Sequence, residues 1–222
     1  MIVLSPSSIG AFATCPTQYE AKYVTKVIKF LQTEATLYGT RLHEAIEYRI
    51  KSDAVLPNEF TWLEPMCASV TAMRGDKYTE LPVAVDESGA EVDYYSPDAW
   101  VRCIIDLAVH DPERKRLTII DWKTGKPKQD KTQLHINLLC AVAHYPGVET
   151  ISVAFVYTKT GLIDKTTYTC KDIPDILTDV QHQTSAVLAA HDAGVFMPTP
   201  NGLCRAWCPV ITCKYHGVGK RR

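Results

Sequence analysis

The sequence predicts an α/β fold in which helices flank a mixed β-sheet. Three observations predict it: a helical apolar pattern over residues 40–50, strand-like runs between 78 and 123, and a return to helix, strand and helix after 129. Neighbouring runs in the middle of the chain favour an antiparallel meander, whereas the later helix and strand favour a crossover connection. No internal repeat is present.

The elements ahead of the sheet are predicted to be helical. Residues 5–23 should form two short helices, with Ser5 or Ser7 as the N-cap and Pro16 as the interruption. The segment TRLHEAIEYRI, residues 40–50, places apolar side chains every four positions and predicts a helix. The intervening stretch up to the first strand is expected to be further helix and loop.

Three strand-like segments predict the meander: YTELPVAVD, AWVRCIIDLAVHD and LTIIDWKTG. QDKTQLHINLLCAVAHY then predicts a helix, and ETISVAFVYTKTG predicts one further strand. The long amphipathic pattern from Asp172 to Gly194 predicts a helix that ends at the glycine. A cysteine-rich tail follows it.

The 222 residues are enough for one substantial core, so we expect a single domain spanning 1–222. Within it we assign N-terminal helices to 1–38, the catalytic core to 39–170, and a helix with the cysteine-rich tail to 171–222. The first residues lack a basic segment followed by an apolar run, and no apolar stretch approaches membrane-spanning length. We therefore expect a cytoplasmic protein without a membrane partner.

The formal net charge is −1, from 24 Lys and Arg against 25 Asp and Glu. This balance excludes a protein that binds nucleic acid through a global positive field, so any such binding must use local patches. Basic residues cluster at 114–116, at 123–128 and in the tail at 220–222. Patches of this kind are also typical of solvated turns and tails.

Two aspartates are predicted to meet across the sheet. If the turn between the second and third strands is centred near Glu113 and Arg114, the antiparallel register places Asp106 opposite Asp121. Directly opposed carboxylates lie about 5 Å apart at Cβ and repel each other unless a positive charge separates them. A divalent cation such as Mg²⁺ or Mn²⁺ takes oxygen ligands and is the simplest candidate.

A lysine accompanies this aspartate pair. The two-residue period of a strand puts Asp121 and Lys123 on one face and turns Trp122 to the other. An ammonium group beside a metal site can orient the attacking water and stabilise a developing phosphate charge. By itself the Asp-x-Lys tripeptide would favour a surface ion pair, because it is common by chance. His43 on the preceding helix and Glu80 on the first strand could complete the metal site.

These segments together resemble the RecB-like branch of the PD-(D/E)XK nuclease superfamily. The resemblance extends from Ser5 to Cys213. The chain is similar in particular to the CRISPR-associated RecB-like exonucleases and their phage relatives. The segments that carry it are GTRLHEAIE, YTELPVAV, VRCIIDLAV, LTIIDWKTGK and QLHINLLCAVAHY. The resemblance implies a restriction-endonuclease-like sheet flanked by helices.

The resemblance also implies roles for individual residues. The implied metal ligands are His43, Asp106, Asp121 and the backbone carbonyl of Trp122. Lys123 corresponds to the catalytic lysine, and Glu80 to a recurring acidic position on the first strand. Gln133 corresponds to the glutamine of the Gln-x-x-x-Tyr motif, which contacts DNA, although Asn137 stands where the tyrosine is usual.

The basic turn after the third strand of the meander is a second candidate DNA contact. Lys126 and Lys128 lie in this turn, directly after the Asp-x-Lys motif. Ammonium groups there can neutralise backbone phosphates. We therefore predict that both lysines contact DNA.

The cysteines of the tail predict a second metal site. Cys204, Cys208 and Cys213 form a group with one ligand missing, and Cys15 is the best candidate for the fourth. Cluster-bearing relatives hold a [4Fe-4S] cluster with one cysteine before the core and three after it, joining the two ends of the chain. Zn²⁺ is the alternative, and His216 could then replace one cysteine. The other cysteines are expected to be buried thiols.

The combined features predict a metal-dependent deoxyribonuclease. By resemblance, single-stranded DNA ends are the expected substrate, cut from 5′ to 3′ during recombination, repair or phage DNA processing. Two alternatives stay open: a DNA-binding subunit of a recombination complex that cuts little, which Asn137 would favour, and a zinc-stabilised endonuclease. The sequence contains no signal for the oligomeric state.

Overall fold

A six-stranded mixed sheet forms the centre of the protein. The computed structural model describes residues 2–28, 33–127 and 131–218. The strands are β1 (Asp76–Val85), β2 (Glu91–Val92), β3 (Val101–Asp111), β4 (Arg116–Lys123), β5 (Thr150–Tyr157) and β6 (Leu162–Thr169). Their order across the sheet is β2-β1-β3-β4-β5-β6. Only β4 and β5 run parallel, which confirms the predicted mixed sheet.

Helices surround this sheet in the predicted order. The α-helices are α1 (Pro6–Thr14), α2 (Pro16–Tyr19), α3 (Glu34–Ser52), α4 (Glu64–Thr71), α5 (Lys131–His144) and α6 (Ile173–Ala193). A π-helical turn (Glu20–Val24) continues α2, and 3-10 turns occupy Asn58–Leu63, Cys170–Asp172 and Gly202–Arg205. The side chains of Ser5 and Ser8 form a capping box at the start of α1, and Pro16 starts α2.

The helices divide into two layers, because both faces of the central strands are apolar. On one face, Ile119 and Val153 pack beneath α1, α5 and α6. On the other face, Ile120 and Trp122 pack beneath α3 and α4. Burial on both sides explains why the apolar residues of β4 do not alternate strictly, with Ile119 and Ile120 adjacent. In the part of the chain that the structure describes, no helix is long and apolar enough to cross a membrane.

β6 is a strand that the sequence analysis did not predict. It pairs with β5 along its whole length after a turn at Gly161, which has a positive φ of 69°. It lies at the edge of the sheet and its residues are mostly exposed, including Lys165. An exposed edge strand needs no apolar alternation, so the sequence lacked the signal on which the prediction relied.

The two ends of the chain meet on the α1 side. The hydroxyl of Thr17 donates a 2.8 Å hydrogen bond to the Phe196 carbonyl, and the Asn201 amide donates a 3.0 Å bond to the Thr14 carbonyl. The hydroxyl of Tyr19 lies 2.8 Å from Nε2 of His191. The cysteine-rich tail is therefore attached to the N-terminal helices, as expected from the sequence.

Substitution of Gly75 should destabilise the fold severely. Its φ is +113°, and a Cβ atom there would lie 2.5 Å from the backbone carbonyl oxygen of His110. Because neither backbone segment can move independently of the β1 and β3 pairing, we expect Gly75→Ala to cost about 2–4 kcal/mol of unfolding free energy. Urea denaturation followed by circular dichroism measures this loss.

Gly147→Ala is the matched control. Gly147 also has a positive φ of 87°, but no atom lies within 4 Å of its added Cβ. The unfolding free energy of this variant should fall by only about 1–2 kcal/mol, the cost of a side chain at a positive φ. Equal losses in the two variants would show that the contact with His110 is unimportant.

Candidate active site

Glu80 and Asp106 lie at one level of the sheet, where the pairing of β1 with β3 is interrupted. The pairs on either side are Thr79 with Leu107 and Leu81 with Ile105. Glu80 adopts a positive φ of 48°, a conformation that costs a residue with a side chain about 1–3 kcal/mol. The surrounding ladder compensates this strain. The interruption frees both carboxylates from the regular alternation of the strands.

The same interruption turns β3 over. Ile105 packs in the layer of α5, whereas Leu107, only two residues later, packs in the layer of α3. Asp106 lies between them, and its carboxylate accepts a 2.8 Å hydrogen bond from the backbone N–H of Trp122. The carboxylate of Asp106 thus takes the place of a backbone partner at the end of β4.

This geometry agrees with the register that the sequence analysis predicted between β3 and β4. Leu107 pairs with Ile120, so Asp106 and Asp121 are the next positions in the same register. They lie just beyond the last pair of the ladder, where the Asp106 side chain accepts a hydrogen bond from the Trp122 N–H.

His43 reaches this site from α3. Its Nε2 lies 2.9 Å from the Trp122 carbonyl, and since a carbonyl can only accept, Nε2 must carry a proton. Its Nδ1 lies 3.5 Å from Oδ2 of Asp106. Burial lowers the pKa of His43, but the hydrogen bond and charge of Asp106 outweigh burial, and the pKa is raised overall.

His43, Glu80 and Asp106 form a set that fits a divalent cation. One ligand atom from each lies within 4.8 Å of the other two. In the neutral imidazole with Nε2 protonated, the lone pair on Nδ1 faces the carboxylates, so three acceptors converge without a donor between them. A hard cation would satisfy all three. Glu80, predicted only as a supporting acid, is a full member of this set.

Asp121 lies beside the set rather than within it. Its carboxylate is buried, with Oδ2 2.7 Å from Nζ of Lys123, and in the described ranges this oxygen has no partner with hydrogen-bond geometry. Gln133 donates to Oδ1 of Asp121 and accepts a 2.7 Å hydrogen bond from Lys123. The predicted DNA-contacting amide therefore holds the aspartate and the lysine together.

The environment of Asp121 disfavours its charged form. Burial, followed by the negative charge of Asp106, raises the pKa of Asp121 to about 7, although Lys123 and His43 act in the opposite direction. A cation bound nearby would stabilise the charged form of this carboxyl group. The electrostatics therefore agree with the metal site that the geometry of the neighbouring set favours.

Phe155 is a part of the site that sequence reasoning missed. It is the cross-strand neighbour of Asp121 on β5, and Nζ of Lys123 lies 5.1 Å from the centre of its ring. A cation–π contact of this kind restricts the position of the ammonium group. The sequence contained no signal for it, because only the parallel register of β4 and β5 brings the two residues together.

An open cleft of about 720 Å³ leads to the metal set. It is lined by Ala35, Thr36, Gly39, Thr40, His43, Glu44, Glu47, Glu80 and Thr124. The carboxylates in this lining repel phosphate, so an anionic substrate would need bound cations to enter. Lys126 is exposed at the turn just after β4, whereas Lys128 and the basic tail at 220–222 lie outside the described residues.

Asn137 lies in the core rather than in this cleft. Only 1% of its surface is exposed, and in the segments that the structure covers its amide nitrogen has no hydrogen-bond partner. It therefore does not face a DNA path. Of the remaining cysteines, Cys67, Cys103 and Cys140 are buried as expected, whereas Cys170 is exposed because it follows the edge strand β6.

The four predicted ligand cysteines surround one small cavity. Cys15, Cys204, Cys208 and Cys213 line it, together with His216. The backbone N–H of Thr199 donates to Cys15 Sγ, and that of Asn201 donates to Cys204 Sγ, both at 3.4 Å. Donors aimed at sulfur stabilise thiolates, the form that binds metals. The residues present thus fit a thiolate-bound group.

A family model of the PD-(D/E)XK nuclease superfamily matches residues 3–213. The chain belongs to the PD-(D/E)XK nuclease superfamily. This confirms the superfamily inferred from the sequence motifs, and with it a nuclease function and a DNA substrate. Nucleases of this superfamily use divalent metals, in agreement with the set formed by His43, Glu80 and Asp106.

Two solved structures match this chain at low sequence identity, and the first of them shares its fold. A putative exonuclease from Eubacterium rectale is 14% identical with a TM-score of 0.55, and the match covers 92% of this chain and 86% of that one. LHK-Exo in complex with dAMP is 15% identical with a TM-score of 0.44, covering 86% of this chain and 88% of that one. No curated protein matches the sequence.

The raised pKa of Asp121 predicts a specific pH dependence of stability. Its folded pKa of about 7 exceeds the ordinary value of 3.8 for an aspartate, so over that interval the folded protein retains a proton that the unfolded chain has lost. Unfolding free energy should therefore fall as pH rises from 4 to 7 in metal-free protein. Asp121→Asn should lose less stability over this range. Thermal unfolding with chelator at pH 5 and pH 8 measures the difference.

Asp98→Asn, at an exposed position, is the control and should follow the parent at both pH values. Added Mn²⁺ should raise the melting temperature of the parent more than that of Asp121→Asn, because the carboxylate stabilises the bound ion. Identical pH profiles for the parent and Asp121→Asn would contradict the assigned pKa shift.

Proposed function

We propose that this protein is an Mg²⁺- or Mn²⁺-dependent exonuclease that degrades single-stranded DNA from its ends. The observation that carries the proposal is the placement of Asp121 and Lys123 directly beside the three converging ligands of the metal set. Asp121 and the Trp122 carbonyl complete the proposed ligand set with His43, Asp106 and Glu80. A bound divalent ion would act as a Lewis acid on the scissile phosphate.

Lys123 would hold the attacking water and stabilise the charge that develops on the phosphate. Two contacts prepare it for this role: the 2.7 Å hydrogen bond to Gln133 and the ring of Phe155 beneath its ammonium group. A preorganised cation does not need to reorient as charge develops, which is the main source of electrostatic catalysis. Gln133 therefore acts in our proposal as a positioning residue.

The exposed turn after β4 would guide the DNA backbone to these groups. Lys126 lies there, and Lys128 follows it in the sequence. Their charges would offset the acidic lining of the cleft and bind phosphates without reading sequence. We propose 5′ to 3′ polarity, and a role in recombination, repair or phage DNA processing, from the resemblance to the RecB-like branch.

We further propose that Cys15, Cys204, Cys208 and Cys213 hold a [4Fe-4S] cluster, with Zn²⁺ as the alternative. The four cysteines line one cavity, and the N–H donors to two of their sulfurs are of the kind that tune iron-sulfur clusters.

Lys123→Ala tests the nuclease. Degradation of 5′-labelled and 3′-labelled single-stranded DNA is measured with Mg²⁺, Mn²⁺ or chelator, and the order of label release gives the polarity. We expect cleavage that requires metal and falls about 10²–10⁴-fold in the variant, because the stabilising ammonium group is lost. Lys165→Ala, an exposed lysine on β6, should cleave like the parent.

If neither the parent nor Lys123→Ala cuts any form of DNA while both still bind it, the protein is a non-catalytic DNA-binding subunit. Circular substrates provide the second comparison. Cleavage of circular single strands as fast as linear ones would identify an endonuclease and refute the requirement for ends.

Cys208→Ser tests the proposed cluster. The thiolate site joins the tail to the N-terminal helices, so its loss should lower the melting temperature of the whole protein and abolish the brown colour of an iron-sulfur protein. Cys170→Ser changes an exposed cysteine outside the cavity and is the control. Iron and sulfide analysis distinguishes the cluster from zinc, which is colourless. Equal melting temperatures for Cys208→Ser and the parent would refute a structural role.

A further inference from the structure

A further cavity, of about 170 Å³, is lined in part by Phe155 and shares no lining residue with the cleft. It is formed between α5 and the outer strands β5 and β6. Its lining residues are Lys131, Leu134, His135, Phe155, Asp164, Thr166 and Tyr168. None of these residues except Phe155 contributes to the site described above, so the nuclease chemistry does not account for the cavity.

The register of the sheet fixes how far this cavity lies from the reaction centre. Asp121 pairs with Phe155, and Phe155 pairs with Asp164, so the three form one row across β4, β5 and β6 on the same face. Neighbouring strands are about 4.8 Å apart, which places Asp164 roughly 10 Å from Asp121. A nucleotide next to a phosphate held at Asp121 would extend over this distance.

The walls of the cavity offer flat apolar surfaces. Tyr168 provides a partly exposed ring, and Phe155, which is only 2% exposed, closes the cavity on the side of β5. The ring of His135 meets that of Tyr168 edge to face, with centroids 6.2 Å apart, and its Nδ1 lies 2.6 Å from the carboxylate of Asp179 on α6. That contact anchors the imidazole, so the cavity is bounded by rings that are held in place. Rings of this kind stack on nucleobases.

The rim of the cavity is polar. Asp164 contributes a carboxylate acceptor, Thr166 a hydroxyl group and Lys131 an ammonium group. Stacking surfaces combined with a few polar groups are the usual composition of a small-molecule site. The cavity is much smaller than the typical pocket of about 300–1,000 Å³ for a drug-sized ligand, so it can take one nucleobase but not a base pair.

We propose that this cavity binds the unpaired nucleobase adjoining the scissile phosphate, an inference that rests on the proposed nuclease function. The base stacks on Tyr168 and abuts Phe155, and Lys131 faces its phosphate. The ring of Phe155 also lies beneath Lys123, so the same ring contacts both the bound base and the catalytic ammonium group. The requirement for an unpaired base gives the enzyme a physical reason to act on single strands.

Asp164 makes the pocket selective. A carboxylate only accepts hydrogen bonds, so among unpaired bases it favours guanine, whose N1–H and exocyclic amino group can both donate to it, over thymine, which offers only N3–H. Asp164→Asn should weaken this preference, since an amide can both donate and accept. The ratio of kcat/KM for guanine and thymine at the pocket position measures it.

An abasic scan tests the pocket. Single abasic residues are placed at successive positions of a single-stranded substrate, and kcat/KM is measured for the parent, Tyr168→Ala and Tyr168→Phe. We expect one position beside the scissile phosphate at which the abasic residue lowers kcat/KM about tenfold in the parent and in Tyr168→Phe. In Tyr168→Ala the abasic residue should not lower kcat/KM further, because the stacking surface is already absent. Tyr95→Ala, which removes an 83% exposed tyrosine outside the cavity, should behave like the parent.

The same abasic penalty in Tyr168→Ala as in the parent would overturn the proposal, and so would equal tolerance at every position. Binding of oligonucleotides with 2-aminopurine, measured in Ca²⁺, separates this failure from failure of the nuclease. Quenching at one position that Tyr168→Ala abolishes would uphold the pocket even for a protein that cuts nothing. Uniform fluorescence at all positions in a protein that cleaves DNA would refute the pocket and leave the nuclease intact.

Discussion

The interruption of the ladder between β1 and β3 is the constraint on which the site depends. Ile105 packs in the layer of α5 and Leu107 in the layer of α3, so β3 changes face at Asp106. The positive φ of Glu80 accompanies this change, and the carboxylates of Glu80 and Asp106 converge there with His43. Strain at one residue is stabilised by the flanking pairs, as is typical of functional sites.

β4 combines burial with charged side chains. The strand is buried on both faces, yet it ends with Asp121 and Lys123, whose charges are costly in that environment. Burial raises the pKa of Asp121, and Gln133 together with Phe155 holds the lysine in place. The arrangement lowers the stability of the metal-free protein and favours the binding of a cation. Losses of stability of this kind are typical of functional sites.

The outer part of the protein extends this centre in two directions. On one side, contacts between the N-terminal helices and the tail gather four cysteines around one cavity. On the other side, β6 adds a wall to the space beneath α5 and creates the proposed base pocket. Both features use peripheral elements, whereas Glu80 and Asp106 of the metal set lie on β1 and β3 inside the sheet, and His43 reaches them from α3.

The sequence by itself determined the mixed sheet, the helix order, the β3 to β4 register and the Asp-x-Lys motif, because apolar periodicity and turn chemistry are local signals. It did not reveal β6, whose exposed edge position needs no apolar pattern. Nor could it show that Glu80 joins His43 and Asp106, or that Phe155 lies under Lys123. Only the tertiary structure decided these contacts, because they arise from a backbone irregularity and a parallel pairing between residues far apart in the chain.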